Sequence, residues 1–154
     1  MENASNWLKE FIKDINIACV LAGLQGEAEH VVNINPQLGR LFGDPYVLNS
    51  FEWSDEEGHE DVNAPYRDFL CELEDLLPLR EHTNLGRSRI TAKRIHQASG
   101  GLVAYTMALV RHATCLALLE GRERLDDALL AEAFDQRLAG KRRGIANPFR
   151  DAEW

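Results

Sequence analysis

Cysteine is scarce in this sequence, and its distribution excludes two common uses of the residue. Only three cysteines occur in 154 residues, at positions 19, 71 and 115. An odd number of widely spaced cysteines in apolar surroundings favours buried, reduced thiols over a disulfide framework or a zinc site. We therefore predict a cytoplasmic protein.

Long hydrophobic runs and a basic excess are also missing. The most apolar stretch, "GLVAYTMALVRHATCLALLEG", is interrupted by Arg111 and His112, so we expect no membrane partner. The N-terminal "MENASNWLKEFIK" lacks the apolar core of a signal peptide. Lys and Arg number 17 against 25 Asp and Glu, a formal net charge of -8. This balance argues against a free-standing nucleic-acid binder, although it allows a local basic patch.

Motifs for nucleotide and nucleophile chemistry are absent from the chain. It contains no GxxxxGK[ST] loop to hold phosphates and no GxSxG elbow to present a nucleophilic serine. The acidic run "SDEEGHED" fits neither an EF-hand nor an HExxH metal template. We interpret that run as a solvated linker, and we expect no cofactor on this chain alone.

The pattern of apolar residues predicts a mostly α fold with one or two short strands. Apolar residues from Trp7 to Ile15 recur at helical spacing, which indicates an amphipathic first helix. The run "INIACVLAG" then favours a buried parallel strand, and Tyr46 to Leu48 a second strand. Short helical segments are expected between these strands, the later one restarting at Pro36.

The second half of the chain is dominated by helices with clear stop and start signals: Ser99-Gly100-Gly101 ends one helix, Gly121 ends the next, and Asp126 or Asp127 opens the last. A helix follows Pro65, and three more form a small bundle whose middle member, from Leu102 to Glu120, is apolar nearly all round. We expect this middle helix to be the buried centre. Beyond Leu138, the composition changes to glycine, proline and basic residues, which indicates a flexible tail.

Several segments, taken in order, resemble the second half of the TniB/TnsC group of AAA+ ATPases, which regulate DNA transposition. They are "INIACVLAGLQGEAEHVV", "NPQLGRLF", "LEDLLPLREHTNL" and "ASGGLVAYTMALVRHATCLALLEGRERLD". The resemblance implies a partial AAA+ α/β core in residues 1–64, a helical lid-like region in 65–138 and a basic tail in 139–154. Intact members use ATP and Mg²⁺, assemble on target DNA, and signal to a transposase and a target-selection protein.

The same resemblance assigns nucleotide-sensing roles to three residues. Arg40 matches the arginine that family members present to a nucleotide on the neighbouring subunit, where a guanidinium stabilises charge on the transferred phosphoryl group. Gln25 is the sensor 1 candidate, because Leu24 stands where the group has a small polar residue. Arg111 is the sensor 2 candidate. As alternatives, Arg40 caps a helix or pairs with a surface acid, and Arg111 is a surface residue.

The tail supplies the candidates for partner contact. Lys141, Arg142 and Arg143 form the only dense positive cluster, followed by "NPF" with Phe149. By resemblance these residues would contact partner proteins, or DNA weakly and indirectly. The alternative is a solvated basic run with no partner.

Two hypotheses for function follow. In the first, the chain is a non-catalytic fragment or remnant of a AAA+ transposition regulator, with Walker A and Walker B expected upstream of residue 1. It would not hydrolyse ATP alone, and would bind a transposase, a target-selection protein or intact ATPase subunits. Its exposed strand edge would favour a homodimer. In the second, it is an independent helical ligand- or partner-binding protein of mobile-element origin.

Overall fold

The computed structural model describes residues 2–15, 18–23, 26–34, 36–56 and 61–150. The chain divides into two compact units, residues 1–49 and residues 50–154. Within the described ranges the regular structure consists of seven α-helices without a strand. The predicted mostly α character is therefore confirmed.

The first unit contains three helices, α1 (Glu2–Ile15), α2 (Glu27–Asn33) and α3 (Pro36–Gly39). In α1, Trp7 and Phe11 lie one turn apart and stack with their ring centroids separated by 5.1 Å. The α3 helix begins at Pro36, because proline fixes a helical φ and the N–H it lacks would have no partner in the first turn.

Both predicted strands are wrong for the part of the chain that the structure describes. Residues 18–23 and 46–48 have irregular backbone, and residues 16 and 17 lie outside the described ranges. Val20, Tyr46 and Leu48 are 93%, 89% and 85% exposed. A strand is stabilised by hydrogen bonds to a neighbouring strand and by burial of its side chains. These residues have neither, so their β propensity alone did not determine the backbone.

The second unit contains four helices, α4 (Ala64–Asp75), α5 (Arg89–Ser99), α6 (Val103–Leu119) and α7 (Asp127–Arg137). The central helix, α6, packs against both α5 and α7, and α4 packs against α5. The largest fully buried side chains of this core are Tyr66, Phe134, Leu70, Leu85, Ile95, Leu109, Leu125, Leu130 and Leu138.

Helix ends in this unit follow the predicted stop and start signals. Gly100 ends α5 in the left-handed conformation with φ of 66°, and its N–H donates to the His96 carbonyl. A glycine adopts this conformation without steric cost, so "SGG" ends the helix. At the start of α7, the Asp126 side chain accepts a hydrogen bond from the Leu129 N–H.

The expectation that α6 is the buried centre of the bundle is correct for one side of the helix only. Its inner side, including Leu109, Val110 and Ala113, is fully buried. On its outer side Leu118 and Leu119 are 52% and 84% exposed, and Cys115 is exposed as well. Cys19 is also exposed, so the prediction of buried thiols is wrong for both cysteines. Two flanking helices cover only part of the circumference of a third, which leaves one face uncovered.

The second unit begins before the boundary predicted at residues 64 and 65. The Phe51 N–H donates to the Gly101 carbonyl at 2.9 Å, and its ring lies 5.4 Å from that of Phe69. Trp53 packs against the same core, with its ring 5.6 Å from that of His96. Aromatic burial therefore makes residues 50–56 part of the helical unit.

Residues 139–150, which were expected to form a flexible tail, pack against the helices of the second unit. Phe149 is 7% exposed and belongs to the hydrophobic core. The Asn147 side-chain amide donates to the Ala131 carbonyl at 2.8 Å and to an Asp135 carboxylate oxygen at 2.9 Å. Arg150 forms a 2.6 Å ion pair with Asp135. Burial of one aromatic ring and these contacts to α7 hold the segment in place. Residues 151–154 lie outside the described ranges.

No single helix among the described residues is long and apolar enough to cross a membrane. The helices α5 and α6 reach the required length and composition only as a pair, and they are bent by 114° at the break between them.

Candidate partner-binding site

The basic cluster of the sequence, Lys141, Arg142 and Arg143, lies in a turn that follows directly from α7. The N–H groups of Lys141 and Arg142 donate to the Leu138 carbonyl at 2.8 and 2.7 Å. The Ile145 N–H donates to the Arg142 carbonyl at 3.2 Å, which continues the turn. We call residues 141–143 the basic turn. Its backbone is fixed by the end of a helix, so its cations project from a defined position.

Each cation of the basic turn has a different environment. The Lys141 ammonium lies 5.9 Å from the centroid of the Tyr105 ring, within the range of a cation–π contact. The Arg142 guanidinium lies against Gly100 and donates to the Gln97 carbonyl at 3.3 Å, so it stabilises the negative end of α5. Arg143 is exposed. Lys141 and Arg143 are therefore available to a partner, whereas Arg142 has a structural role.

Basic residues predominate in the segment that contains the basic turn. Residues 139–150 contain four basic side chains and no Asp or Glu. The neighbouring helix α6 carries Arg111 as its only charged residue. Arg150, at the end of the segment, is paired with Asp135 of α7, so the local positive charge is that of the basic turn and Arg111.

A cleft of about 430 Å³ opens between the end of α5 and residues 142–148. The Nε atom of Arg142 is buried here and, within the described residues, makes no hydrogen bond. The His96 Nε2 is 2.8 Å from the Phe51 carbonyl oxygen and so donates to it. The full lining comprises His96, Gln97, Gly100, Arg142, Gly144, Ile145, Ala146 and Pro148. Its polar groups suit an anionic head, and its apolar side chains suit a hydrocarbon body.

The candidate residues for nucleotide sensing are not brought together in the described structure. Arg40 directly follows α3 in the first unit and is exposed, without an ion pair or hydrogen bond to another described side chain. Arg111 is exposed on α6, in the second unit. Gln25 lies outside the described residues. Phe149, the fourth tail candidate, is in the core and does not reach the surface.

Sequence analysis missed the residues that line the cleft opposite the basic turn. His96 and Gln97 precede the glycine pair that ends α5, and this pair signalled only a helix stop. The contact between Arg142 and Gly100 joins residues 42 positions apart, which no local pattern reveals. No group of three or more His, Cys, Asp or Glu side chains suited to a metal ion occurs among the described residues.

In comparisons with known proteins, no protein-family model matches the chain, and no curated protein matches it.

Proposed function

We propose that the chain is a non-catalytic fragment or remnant of a AAA+ transposition regulator of the TniB/TnsC kind. It acts through protein–protein contacts in a DNA transposition system. The observation that supports a binding role is the basic turn, in which Lys141 and Arg143 are exposed and make no ion pair with another described residue, although the chain as a whole is acidic. The order of the resembling segments supports the transposition context.

A binding role without catalysis agrees with the chemistry available in this chain. ATP hydrolysis by P-loop enzymes requires a glycine-rich loop with a lysine on the phosphates and a carboxylate that holds Mg²⁺. The sequence contains no such loop. We therefore expect no ATP hydrolysis by this chain alone, and a measured rate that Arg40→Ala abolished would contradict the proposal.

The expected partner is an acidic surface on a transposase, a target-selection protein or an intact ATPase subunit. Lys141 and Arg143 provide only two exposed cations, and Arg142 is engaged at the end of α5. Duplex DNA binding at physiological salt depends on many neutralised phosphates, so DNA contact through this turn would be weak. A protein surface can combine two charge pairs with apolar burial and so gain specificity.

The proposal is tested by adding the purified chain to an intact ATPase of the TniB/TnsC group and measuring assembly of that ATPase on DNA by light scattering. The chain is expected to change the extent of assembly. The double variant Lys141→Glu/Arg143→Glu is expected to lose most of this effect, because each reversed charge repels an acidic partner.

A matched control separates local charge from total charge. Arg87→Glu/Arg124→Glu changes the net charge by the same amount at two exposed positions away from the basic turn. The effect on assembly should remain with this control. Equal loss in both double variants, or no effect of the unmodified chain, would contradict the proposal.

The cleft beside Arg142 favours a second candidate function, binding of a small ligand by an independent helical protein. Its volume of about 430 Å³ and its mixed lining suit a small carboxylate with an apolar body. Native mass spectrometry of the purified chain would detect such a ligand as added mass. Ala146→Trp, which fills the cleft, should remove this mass if the ligand is bound there; an unliganded chain would count against this function.

A further inference from the structure

The uncovered face of α6 is a line of residues that runs along most of the helix. Positions 104, 108, 111, 115 and 118 follow one another at alternate spacings of four and three residues. This spacing places them in one line along a helix and is the pattern by which helices pair. We call Ala104, Ala108, Arg111, Cys115 and Leu118 the α6 stripe. At about 1.5 Å per residue it extends over about 20 Å, or three helical turns and more.

The α6 stripe is solvent-exposed, in contrast to the opposite side of the same helix. All its members except the half-buried Ala108 are exposed, and Leu118 is 52% exposed. The adjacent Leu119 is 84% exposed and widens the apolar surface at the C-terminal end. The small side chains of Ala104 and Ala108 let another helix approach closely at the N-terminal end. An apolar helix face of this length is typical of a surface that receives an amphipathic helix.

The charge of Arg111 indicates which kind of partner the α6 stripe can bind. Arg111 is the middle position of the α6 stripe and has no ion-pair partner among the described residues. A second copy aligned antiparallel along the whole stripe would place Arg111 against Arg111, and a parallel copy in register would do the same. Such like-charge contact in an apolar interface is unfavourable. A partner with a carboxylate at the matching position would pair the charge.

The residues around the α6 stripe also favour a negatively charged partner. Lys141 lies on the ring of Tyr105, one residue after Ala104, and so flanks the N-terminal end of the stripe. His112, beside Arg111, is 2.6 Å from the Gln136 side-chain oxygen and is thus held by α7. Neither α6 nor residues 139–150 contain an acid, whereas Glu120 directly follows α6 and Glu132 of α7 accepts a hydrogen bond from the same Gln136 side chain. Arg111 and Lys141 are therefore the charges that favour an acidic partner.

We infer that the α6 stripe binds an acidic amphipathic helix of a protein partner, with a partner carboxylate paired to Arg111. The inference rests on the protein-binding part of the proposed function, but it does not require the partner to belong to a transposition system. In this complex, Leu118 and Leu119 bury apolar surface against the partner helix. Arg111 fixes the register of the two helices and selects a negatively charged partner.

Two synthetic peptides test this inference with the full chain. Each has three heptads with leucine at a and d, except for one central a position, and glutamate or glutamine elsewhere. That central residue is glutamate in the first peptide and lysine in the second. Fluorescence anisotropy of the labelled peptides should show the glutamate peptide binding about tenfold more tightly or better, because only it pairs with Arg111.

Arg111→Glu provides the reciprocal test. The residue is exposed, so the variant should retain its helical circular dichroism, and the peptide preference should reverse towards lysine. A preference for glutamate that persists in Arg111→Glu, equal affinity for the two peptides, or no binding of either would overturn the inference.

Thiol protection locates the bound peptide. Cys115 lies in the α6 stripe and is exposed, whereas Cys19 is exposed in the first unit. Saturating glutamate peptide should slow modification of Cys115 by a thiol reagent at least severalfold and leave Cys19 unchanged. Unchanged modification of Cys115 would overturn the inference.

Two other occupants have distinct outcomes. Dimerisation of the chain alone in sedimentation velocity, abolished by Leu118→Asp, would assign the stripe to a second copy. Binding to vesicles of phosphatidylcholine and phosphatidylglycerol, with slower modification of Cys115, would assign it to a lipid surface. Either result would overturn the inference. Peptide binding without any effect on an intact ATPase would contradict only the transposition context of the proposed function.

Discussion

At the scale of single residues, Glu74 holds the loop at residues 83–85 by accepting hydrogen bonds from its backbone N–H groups. Its carboxylate is 6% exposed and accepts hydrogen bonds from the N–H groups of Thr83, Asn84 and Leu85, the last two at 2.7 and 3.0 Å. A buried loop requires partners for its N–H groups, and a carboxylate can accept several at once. The residues after α4 are thereby tied back to that helix.

Glu74→Gln should therefore destabilise the chain by about 1–3 kcal/mol, since the amide NH₂ group cannot accept a hydrogen bond and would face the N–H groups of the loop. Urea denaturation followed by circular dichroism would measure this loss. Glu72→Gln, an exposed position in the same helix, should change stability by less than about 0.5 kcal/mol. Equal effects of the two substitutions would contradict the role assigned to Glu74.

Tyr66 is the second residue whose polar group is held inside the core. Its ring is fully buried, and its hydroxyl lies 3.1 Å from the Ser99 hydroxyl and 2.9 Å from that of Thr106. Burial raises the pKa of Tyr66 above its usual value of 10.0, and the hydrogen bonds to Ser99 and Thr106 only partly oppose this. The neutral phenol is therefore favoured in the folded state.

The raised pKa predicts a loss of stability at alkaline pH. The folded state holds the phenolic proton more strongly than the unfolded state, so this contribution is complete below pH 10 and is lost as pH rises through the pKa of the folded state. Compared with the unmodified chain, Tyr66→Phe should show a shallower fall in unfolding free energy above pH 10. Identical alkaline profiles would contradict the assignment.

At the scale of elements, residues 139–150 show how one buried aromatic side chain can order a segment whose composition is typical of a flexible tail. Their glycine and basic content is typical of a flexible tail, yet Phe149 is 7% exposed and Asn147 bonds to α7. Burial of an aromatic ring is a large favourable term, and together with the contacts of Asn147 to α7 it offsets the entropy lost when the segment is ordered. The basic turn is consequently part of the folded unit.

Phe149→Ala should therefore destabilise the helical unit by about 3–5 kcal/mol, the usual cost of a large-to-small change in a core. Thermal and urea unfolding would measure it. Ile145→Ala, in the same segment but 42% exposed, serves as the control and should cost much less. A near-neutral Phe149→Ala would mean that the segment is not held by its ring.

Local signals predicted the helices well and the rest of the elements poorly. Caps and stops such as Asp126 and Gly100 act within a few residues, so the sequence alone reveals them. The strand predicted at Tyr46 depended on a distant pairing partner that composition cannot supply. The docking of Phe149 and the contact of Arg142 with Gly100 are equally non-local.

At the scale of the whole molecule, charge is distributed unevenly. The chain carries a net charge of -8, yet α6 and residues 139–150 themselves contain basic residues and no acids. Sequence analysis identified the basic turn as a cluster, but not the cleft or the α6 stripe beside it. Those two features arise from packing between α5, α6 and residues 139–150, and only the fold assembles them.

Hydrogen exchange of the full chain, with and without an intact ATPase of the TniB/TnsC group, tests the central claim most directly. The account predicts slower exchange at residues 141–145 and along α6 in the presence of that ATPase. It also predicts that α4, which lies outside the proposed contact face, exchanges at an unchanged rate. Unchanged exchange at every position, or protection confined to other segments, would contradict a partner-binding role for this face.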